Sequence, residues 1–344
     1  MDFFDEPRPS TAFTTIDLDK PGRQVGALMV PQSTNTDAWG CTAVPLAVIA
    51  NGAGPTVIIE AGNHGDEHEG QITVGEIIRE LDPASIQGRL ILLPASNVHA
   101  VRGGTRTSPV DGVNMNRSFP GDPRGTVTRQ IAAYIADHLF PIADAFIDLH
   151  SGGSSLDILP SVSIEPTGHA DLRKRNIAAA LAFDAPLSVV ISNLGEPGTA
   201  TATACRAGLI TVATEMGGGG TVSLDGLAIC RQGVRNVLAH LGVLPPEAAS
   251  RRKEPSRLLE LPGKDAFVFA PMDGIFEPLH RNGATVHAGE AAGRVHCTWD
   301  PAREPVTVHY NADGLLYARR QPGLVTRGSC CLAVAAPYAH ATVQ

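Results

Sequence analysis

The stretch PTVIIEAGNHGDEHEG, residues 55–70, decides the fold of this 344-residue chain. Its β-branched run over 56–60 ends in a turn that contains Gly62 and Gly65. This pattern predicts a buried strand whose carboxyl end carries a polar loop. Open α/β sheets bind their ligands at that edge, so the loop is the first candidate for a functional site.

Imidazole and carboxylate side chains crowd this loop, at His64, Asp66, Glu67, His68 and Glu69. An imidazole and a carboxylate three residues apart on a tight turn can bind one cation, and mixed nitrogen and oxygen donors suit zinc. A polar loop in which Asp66 or Glu67 caps the next helix is the alternative. We favour metal binding, with His64 and Glu67 as ligands.

The same letters also spell H-x-x-E-H, from His64 to His68, which is the inverted zincin motif. That motif needs a continuous helix, so that both histidines share one face. Gly62 and Gly65 flank His64, and a glycine costs a helix up to ~1 kcal/mol relative to alanine. We therefore expect His68 to be structural rather than a ligand.

A third ligand is expected at the end of another apolar run, FIDLHSGG, residues 146–153. A catalytic zinc ion takes three protein ligands and keeps one position for water. His150 ends this run before a glycine turn, at the same predicted sheet edge as His64. Because side chains alternate along a strand, Asp148 points to the same side and is a candidate to hold the His150 ring. A structural histidine is the alternative.

Arginine and asparagine are concentrated in a loop over 102–121, RGGTRTSPVDGVNMNRSFPG. Glycine and proline prevent a regular element there. Arginine forks with neighbouring amides bind carboxylates and oxyanions in bidentate geometry. The loop is therefore expected to bind an anionic group, and a solvated loop with incidental arginines is the alternative.

A fourth polar strand end is ITVATEMGGGG, residues 210–220, where a β-branched strand ends at Glu215. A carboxylate at this position can take a proton from a metal-activated water and pass it to a leaving amine. No Lys-Ser/Thr pair follows the glycines, which argues against a Walker-type phosphate loop. A flexible backbone packed beside the site is the alternative.

Composition and charge are typical of a globular protein. Hydrophobic residues make up 43 % of the chain, charged residues 18 %, and the net charge is −8. This balance argues against a broad nucleic-acid surface, and no run approaches the ~20 apolar residues of a membrane span. The N-terminus has no signal-peptide pattern and the six cysteines form no C-x-x-C pair, so we expect a reduced, cytoplasmic protein.

Predicted strands and helices alternate along the first two thirds of the chain, as in an α/β layer structure. Strands are predicted over 56–60, 90–94, 145–150 and 209–215, and helices over 69–81, 126–139, 170–183 and 224–241. We expect a catalytic domain over 1–248, a proline-rich charged linker over 249–262 and a β-rich C-terminal domain over 263–344.

The C-terminal part contains a weak internal repeat with a period of about 40 residues. The matching positions are Asp273, Gly274, Gly283 and Val286 in the first copy and Asp313, Gly314, Gly323 and Val325 in the second. Two related β-units predict a small sandwich or barrel that resembles biotinyl/lipoyl-like domains. The segment between the copies, 296–310, has no lysine, so we expect a structural or gating role and not an acyl carrier.

Four motifs occur in a fixed order, namely His64-x-x-Glu67, Asn116-Arg117, Asp148-x-His150 and Glu215. In this they resemble the succinylglutamate desuccinylase/aspartoacylase family, within the zinc carboxypeptidase-like fold. The resemblance implies a mixed α/β sheet flanked by helices, with a small all-β C-terminal domain of barrel-sandwich, biotinyl/lipoyl-like type. It also implies one Zn²⁺ per subunit, held by His64, Glu67 and His150.

The resemblance further implies roles for the polar residues. Arg106 would polarise the scissile carbonyl, Asn116 and Arg117 would bind the substrate carboxylate, and Glu215 would be the general acid/base. The interval from Arg106 to Asn116 is longer than in aspartoacylase, so Arg102 stays an alternative for the carbonyl role.

The motifs AWG, GNHGDEHEG, SPVDGVNMNRSFPG and TEMGGGG are most similar to a bacterial subgroup that includes N-acetyl-diaminobutyrate deacetylases. The resemblance implies zinc-dependent hydrolysis of the amide of a small N-acyl amino acid. A metallo-carboxypeptidase, another acyl-amino-acid deacylase and a non-catalytic binding protein on the same scaffold are the alternatives. We expect a small-molecule substrate, no nucleic-acid or membrane partner, and a homo-oligomer.

Overall fold

The computed structural model describes residues 10–191 and 197–338. The first residues of the predicted catalytic domain, 1–9, and the last of the predicted C-terminal domain, 339–344, lie outside these ranges. Within the described ranges, no helix has both the length and the apolar character needed to cross a membrane.

Strands and helices alternate through the first 240 residues. The strands are β1 (Phe13–Thr14), β2 (Gly22–Thr34), β3 (Asp37–Asn51), β4 (Thr56–Ala61), β5 (Gly88–Leu93), β6 (Ala145–Leu149), β7 (Leu156–Ile158), β8 (Ser161–Ile164), β9 (Leu187–Val190) and β10 (Ile210–Glu215). The helices are α1 (Glu69–Glu80), α2 (Val98–Gly103), α3 (Val127–Tyr134), α4 (Ala170–Phe183), α5 (Ala200–Arg206) and α6 (Leu224–His240).

The C-terminal part adds only strands and short turns among its described residues. These strands are β11 (Arg257–Glu260), β12 (Phe267–Phe269), β13 (Gly274–Pro278), β14 (Thr285–Val286), β15 (Ala291–His296), β16 (Val306–His309), β17 (Gly314–Arg320), β18 (Leu324–Val325) and β19 (Cys330–Pro337).

Each strand and helix predicted from the pattern is present. The predicted helix over 126–139 differs most, because α3 ends at Tyr134 and the chain continues as a π-helical turn over Ile135–Leu139. This turn keeps Ile135 and Leu139 fully buried in the core.

A mixed sheet with the strand order β1-β2-β3-β5-β4-β6-β10-β8-β9-β11 forms the centre of the molecule. Strand β4 pairs in parallel with β5 and β6, and β6 pairs in parallel with β10. Asp148 of β6 lies opposite Glu60 on one side and Ala213 on the other. The carboxyl ends of β4, β6 and β10 therefore meet at one edge of the sheet.

Alternate side chains of these central strands enter two separate cores, one on each face of the sheet. Ile59 and Ile147 pack on one face with residues of α1, α4 and α6. Ile58 and Phe146 pack on the other face with residues of α3. Burial on both faces explains why these strands are almost continuously apolar in sequence. The rigid strands in turn fix where the loops at their carboxyl ends begin.

The internal repeat of the C-terminal part corresponds to a reciprocal exchange of strands. Strand β14 pairs with β17 of the second copy, and β18 pairs with β13 of the first. The register is symmetric, since Gly274 pairs with Val325 and Gly314 pairs with Val286. This arrangement is what two related β-units predict.

The expected linker over 249–262 is only partly extended and exposed. Residues 251–255 are exposed, but Arg257–Glu260 form β11, which pairs with β9 of the central sheet and with β19. Leu259 is buried in a cluster that includes Leu187 of β9 and Leu315 of β17. The segment therefore joins the two parts through one sheet and one core.

We expect Leu259→Ala to destabilise both parts of the chain together. Truncating a buried leucine typically costs ~2–5 kcal/mol, and the shared core predicts one cooperative unfolding transition that shifts to lower urea. Leu324→Ala is the matched control, because Leu324 is 61 % exposed. Urea titrations followed by circular dichroism and tryptophan fluorescence test this. Two separate transitions, of which only one moves, would contradict the shared core.

Candidate active site

The carboxyl ends of three strands bring the predicted site residues together at one edge of the sheet. His64 and Glu67 lie in the loop after β4, His150 directly follows β6, and Glu215 is the last residue of β10. The first loop packs closely on α2: a Cβ at Gly65 would lie 1.9 Å from the carbonyl oxygen of Ala100. Only glycine fits there. The close contact with α2 therefore fixes the path of the loop that carries His64 and Glu67.

Glu67 is the centre of the site. Its Oε1 lies 2.7 Å from His64 Nδ1, and its Oε2 lies 2.7 Å from His150 Nδ1. All three side chains are buried, and their ligand atoms lie within 4.8 Å of one another. Within the described ranges these three residues form the one group of histidine, cysteine and acidic side chains close enough to bind a metal.

Two neighbours orient the imidazole rings. His64 Nε2 lies 3.1 Å from Asn114 Oδ1, and because an amide oxygen only accepts, Nε2 carries the proton. His150 Nε2 lies 3.0 Å from Asp148 Oδ1, as the alternation of side chains predicted. Both rings therefore turn Nδ1 toward Glu67, which is the arrangement that metal-binding histidines require.

The electrostatics of these buried groups favour a bound cation. Burial alone would raise the pKa of Glu67, but His64 and His150 hold it below its usual range. Burial would likewise lower the pKa of His150, but the Asp148 and Glu67 carboxylates raise it well above its usual value. A metal would take the place of that proton, so its affinity falls as the pH falls. Two imidazole nitrogens and one carboxylate are the donor set of a catalytic zinc site.

The three metal-binding candidates open into a cavity of about 310 Å³. Arg106 also lines it, with Nη1 3.4 Å from Glu67 Oε1 and 3.3 Å from His64 Nδ1. Asn116 and Arg117 line the same cavity. Arg102 does not: it is exposed in the last turn of α2 and is not among the residues that line the cavity.

Asn116 is held by one hydrogen bond and lies beside His150. Its Oδ1 accepts a hydrogen bond from the backbone N–H of Ala200, and its Nδ2 lies 3.3 Å from His150 Nε2. Arg117 donates from Nη1 to the backbone oxygen of Asn116. The pair therefore lies between His150 and the start of α5.

Glu215 is a carboxylate in a poorly solvated position. Its Oε2 has no hydrogen-bond partner within residues 10–191 and 197–338. Burial, together with the negative charge of Glu67, raises the pKa of Glu215 to about 8. Ser161 lies opposite Glu215 in the sheet. The Ser161 hydroxyl is 2.7 Å from the hydroxyl of Tyr317, which belongs to the C-terminal part.

Several residues around the site were missed by the sequence patterns. Asn114 lies in the arginine-rich loop but was given no role there. Glu60 lies beside Asp148 in the sheet, where burial and the Asp148 charge raise its pKa to about 8. Tyr317 and Phe267 line the cavity from the C-terminal part. For these two residues the sequence contains no local signal, because only the folded chain brings them to the cavity.

Comparison with known proteins identifies the family. The profile of the succinylglutamate desuccinylase/aspartoacylase catalytic domain matches residues 53–241. The chain belongs to this family. The match spans the loop that carries His64 and Glu67, the arginine-rich loop, β6 and β10, so the resemblance noted in the motifs is confirmed.

Relatives within the family match over almost the whole chain. N-alpha-acetyl-L-2,4-diaminobutyric acid deacetylase from Halomonas elongata is 38 % identical over 330 residues, 96 % of each chain. The product-bound ectoine utilization protein EutE from Ruegeria pomeroyi is 39 % identical, with a TM-score of 0.92 over 96 % of this chain and 99 % of that one. A succinylglutamate desuccinylase/aspartoacylase from Rhodobacter sphaeroides is 40 % identical, with a TM-score of 0.90 over 96 % and 100 %.

We expect His64→Ala and His150→Ala to lose bound metal and His68→Ala to keep it. His68 directly precedes α1, makes no capping hydrogen bond with its side chain and does not line the cavity. Elemental analysis after zinc loading and dialysis tests this, with circular dichroism to check folding. Metal loss in the His68 variant together with normal loading of the His150 variant would contradict the assignment.

Proposed function

We propose that this protein hydrolyses the amide bond of a small N-α-acyl amino acid in a zinc-dependent reaction. The observation that carries the proposal is that the His64–Glu67–His150 donor set, Glu215 and Arg106 share one cavity. The name of the Halomonas elongata relative supports N-α-acetyl-L-2,4-diaminobutyrate as the first substrate to test.

Zinc held by the three ligands would act as a Lewis acid and lower the pKa of water from 15.7 to about 7. Glu215 is the group that moves protons. It takes a proton from the attacking water as the new carbon–oxygen bond forms, and it donates that proton to the nitrogen as the carbon–nitrogen bond breaks. Glu215 has to be ionised to take that proton, and the positive charges of Arg106 and of a bound cation would favour its ionised form.

The arginines and Asn116 bind the substrate in this scheme. Arg106, beside Glu67 and His64, donates hydrogen bonds to the acyl oxygen as negative charge develops on it. Asn116 and Arg117 bind the α-carboxylate and so fix the orientation of the amide. The products are the free amino acid and the carboxylate of the acyl group.

The size of the cavity favours a deacylase over a carboxypeptidase. About 310 Å³ is at the lower end of ligand pockets, and Phe267, Tyr317 and Ala333 of the C-terminal part line one side of it. A long peptide would meet this wall. Assays of the zinc-loaded protein with N-α-acetyl-L-2,4-diaminobutyrate and with a panel of dipeptides separate the two functions. Faster hydrolysis of the dipeptides would contradict our proposal.

Other expectations belong to the same proposal. The reciprocal exchange of β14 and β18 supports a barrel-sandwich of the biotinyl/lipoyl type for the C-terminal part. Its contribution to the cavity wall supports a structural or gating role. The homo-oligomeric state and the cytoplasmic location stay predictions.

We expect Glu215→Gln to keep zinc and substrate binding but to lose most turnover. An amide cannot relay the proton, and proton transfer by a positioned group is typically worth ~10²–10⁴-fold. Steady-state kinetics, with metal content measured on the same samples, test this. A near-normal kcat in the zinc-loaded variant would assign the acid/base role to another residue.

The two arginines should respond differently to substitution by lysine. We expect Arg117→Lys to raise KM with a smaller change in kcat, because its contact with the carboxylate exists in both the ground and transition states. Arg106→Lys should mainly lower kcat, by ~10²–10³-fold, because the oxyanion develops only during the attack. Full kinetic profiles of both variants test this, and the reverse pattern would exchange their roles.

A further inference from the structure

Two acidic residues of the loop after β4, Asp66 and Glu69, lie outside the cavity. They are 4 % and 0 % exposed, and neither lines the cavity or belongs to the group of possible metal ligands. A buried carboxylate is costly unless hydrogen bonds compensate for the lost water. Each of these two carboxylates accepts a backbone N–H from a different loop of the site, and those partners indicate what the two residues do.

Asp66 holds the turn that follows His150. Its Oδ2 accepts hydrogen bonds from the backbone N–H and from the hydroxyl of Ser154, at 2.7 Å each. Gly153 has a φ of +54°, and a Cβ at this position would lie 2.7 Å from the same oxygen. The turn therefore packs directly on the carboxylate, which fixes the backbone just after His150.

The glycine run that follows Glu215 is bound to this same turn. The backbone N–H of Gly152 donates to the oxygen of Gly217 at 2.9 Å, and the oxygen of Gly153 accepts from the N–H of Gly220 at 2.8 Å. Two hydrogen bonds thus join the turn after β6 to the segment after β10. The backbone that leaves Glu215 is therefore positioned by the turn that the first carboxylate holds.

Glu69 holds the other end of the glycine run. Its Oε1 accepts a hydrogen bond from the backbone N–H of Ser223 at 2.7 Å. Ser223 caps α6, because its hydroxyl accepts from the N–H of Gly226, and the positive end of a helix favours a carboxylate nearby. Gly217 packs against this contact, since a Cβ there would lie 3.0 Å from the Cβ of Ser223. The chain between β10 and α6 is therefore held at both ends from the loop after β4.

We propose that Asp66 and Glu69 are positioning residues for Glu215. They touch neither the metal nor the substrate, and they fix the backbone from which the Glu215 side chain reaches the cavity. This inference rests on the proposed function, in which Glu215 moves the proton. It also accounts for the loop GDEHEG, residues 65–70, which contains more acidic side chains than the metal site uses.

Steady-state kinetics of the zinc-loaded protein with N-α-acetyl-L-2,4-diaminobutyrate test the proposal. We expect Asp66→Ala and Glu69→Ala each to lower kcat by ~10- to 100-fold, because a displacement of ~1 Å can cost that much. KM should change by less than ~3-fold, since other residues bind the substrate. Asp66→Asn and Glu69→Gln keep an acceptor oxygen and should recover most of the loss. Zinc content, measured on each sample, should equal that of the wild type, and a kcat loss that follows zinc loss would overturn the proposal.

Combination with Glu215→Gln shows whether the two residues act through Glu215. If they do, adding Asp66→Ala or Glu69→Ala to Glu215→Gln should lower kcat by less than a further ~3-fold, because residues that act as a unit have non-additive effects. A further loss as large as in the wild-type background would mean that the two residues act elsewhere, and would overturn the proposal.

Asp184 provides the matched control. It is also buried, at 8 % exposed, its carboxylate accepts the backbone N–H of Arg252, and it does not line the cavity. Asp184→Ala should shift urea unfolding to lower concentrations but keep kcat. An equal loss of kcat in this variant would attribute the effect to reduced stability and overturn the positioning role.

Hydrogen exchange measured by mass spectrometry gives a readout that is independent of turnover. The amides of the last two glycines of the run are hydrogen-bonded, so the peptide over 216–223 should exchange slowly in the wild type. Asp66→Ala and Glu69→Ala should each speed its exchange by ~10-fold, the equivalent of about one hydrogen bond, and Asp184→Ala should not. Unchanged exchange in the first two variants would overturn the proposal. If exchange responds as expected but the wild type hydrolyses no N-acyl amino acid, the proposed function fails and the two residues still hold the run.

Discussion

One buried carboxylate, Glu67, organises the candidate site. It contacts His64 Nδ1 and His150 Nδ1 at 2.7 Å each, and only 3 % of its surface is exposed. An ionised carboxylate in such a position is stable only if its partners stay in place. The two strand ends that carry His64 and His150 must therefore meet, which requires β4 and β6 to pair in parallel and in this register. The close approach of Gly65 to α2 serves the same requirement, since it directs the loop toward β6.

The same site collects more acidic groups than its histidines can neutralise. Glu60, Asp148 and Glu215 lie around Glu67 and His150, and burial raises the pKa of Glu60 and of Glu215 to about 8. Protonation of carboxyl groups at neutral pH is one way to reduce this excess of negative charge. A divalent cation beside Glu67 is another, because it would favour the ionised form of each neighbouring acid. The electrostatics and the donor set thus separately fit a divalent cation at this position.

The sequence predicts those parts of the fold and of the candidate site whose residue pattern lies within one short stretch of the chain. The central strands and the clustering of His64, Glu67 and His150 were predictable, because each signal is a short apolar run that ends in glycine and polar residues. Strands β7 and β8 are only three and four residues long, too short for a recognisable pattern. Spacing alone could not decide between Arg102 and Arg106. The structure separates them because α2 ends at Gly103, which leaves Arg102 on its exposed last turn while Arg106 follows in the loop that returns to the site.

No short sequence pattern predicts that residues of the C-terminal part reach the candidate site. Tyr317 lies 156 residues from Ser161 in sequence, yet their hydroxyls are 2.7 Å apart. Ser161, in β8, lies opposite Glu215 of β10. Tyr317 therefore packs against the strand that lies beside Glu215 in the sheet. The C-terminal part thus contacts the strand beside Glu215 and lines the cavity, and it also shares a sheet and a core with the first part instead of being joined to it by a free linker. A domain that only shielded the cavity would need neither.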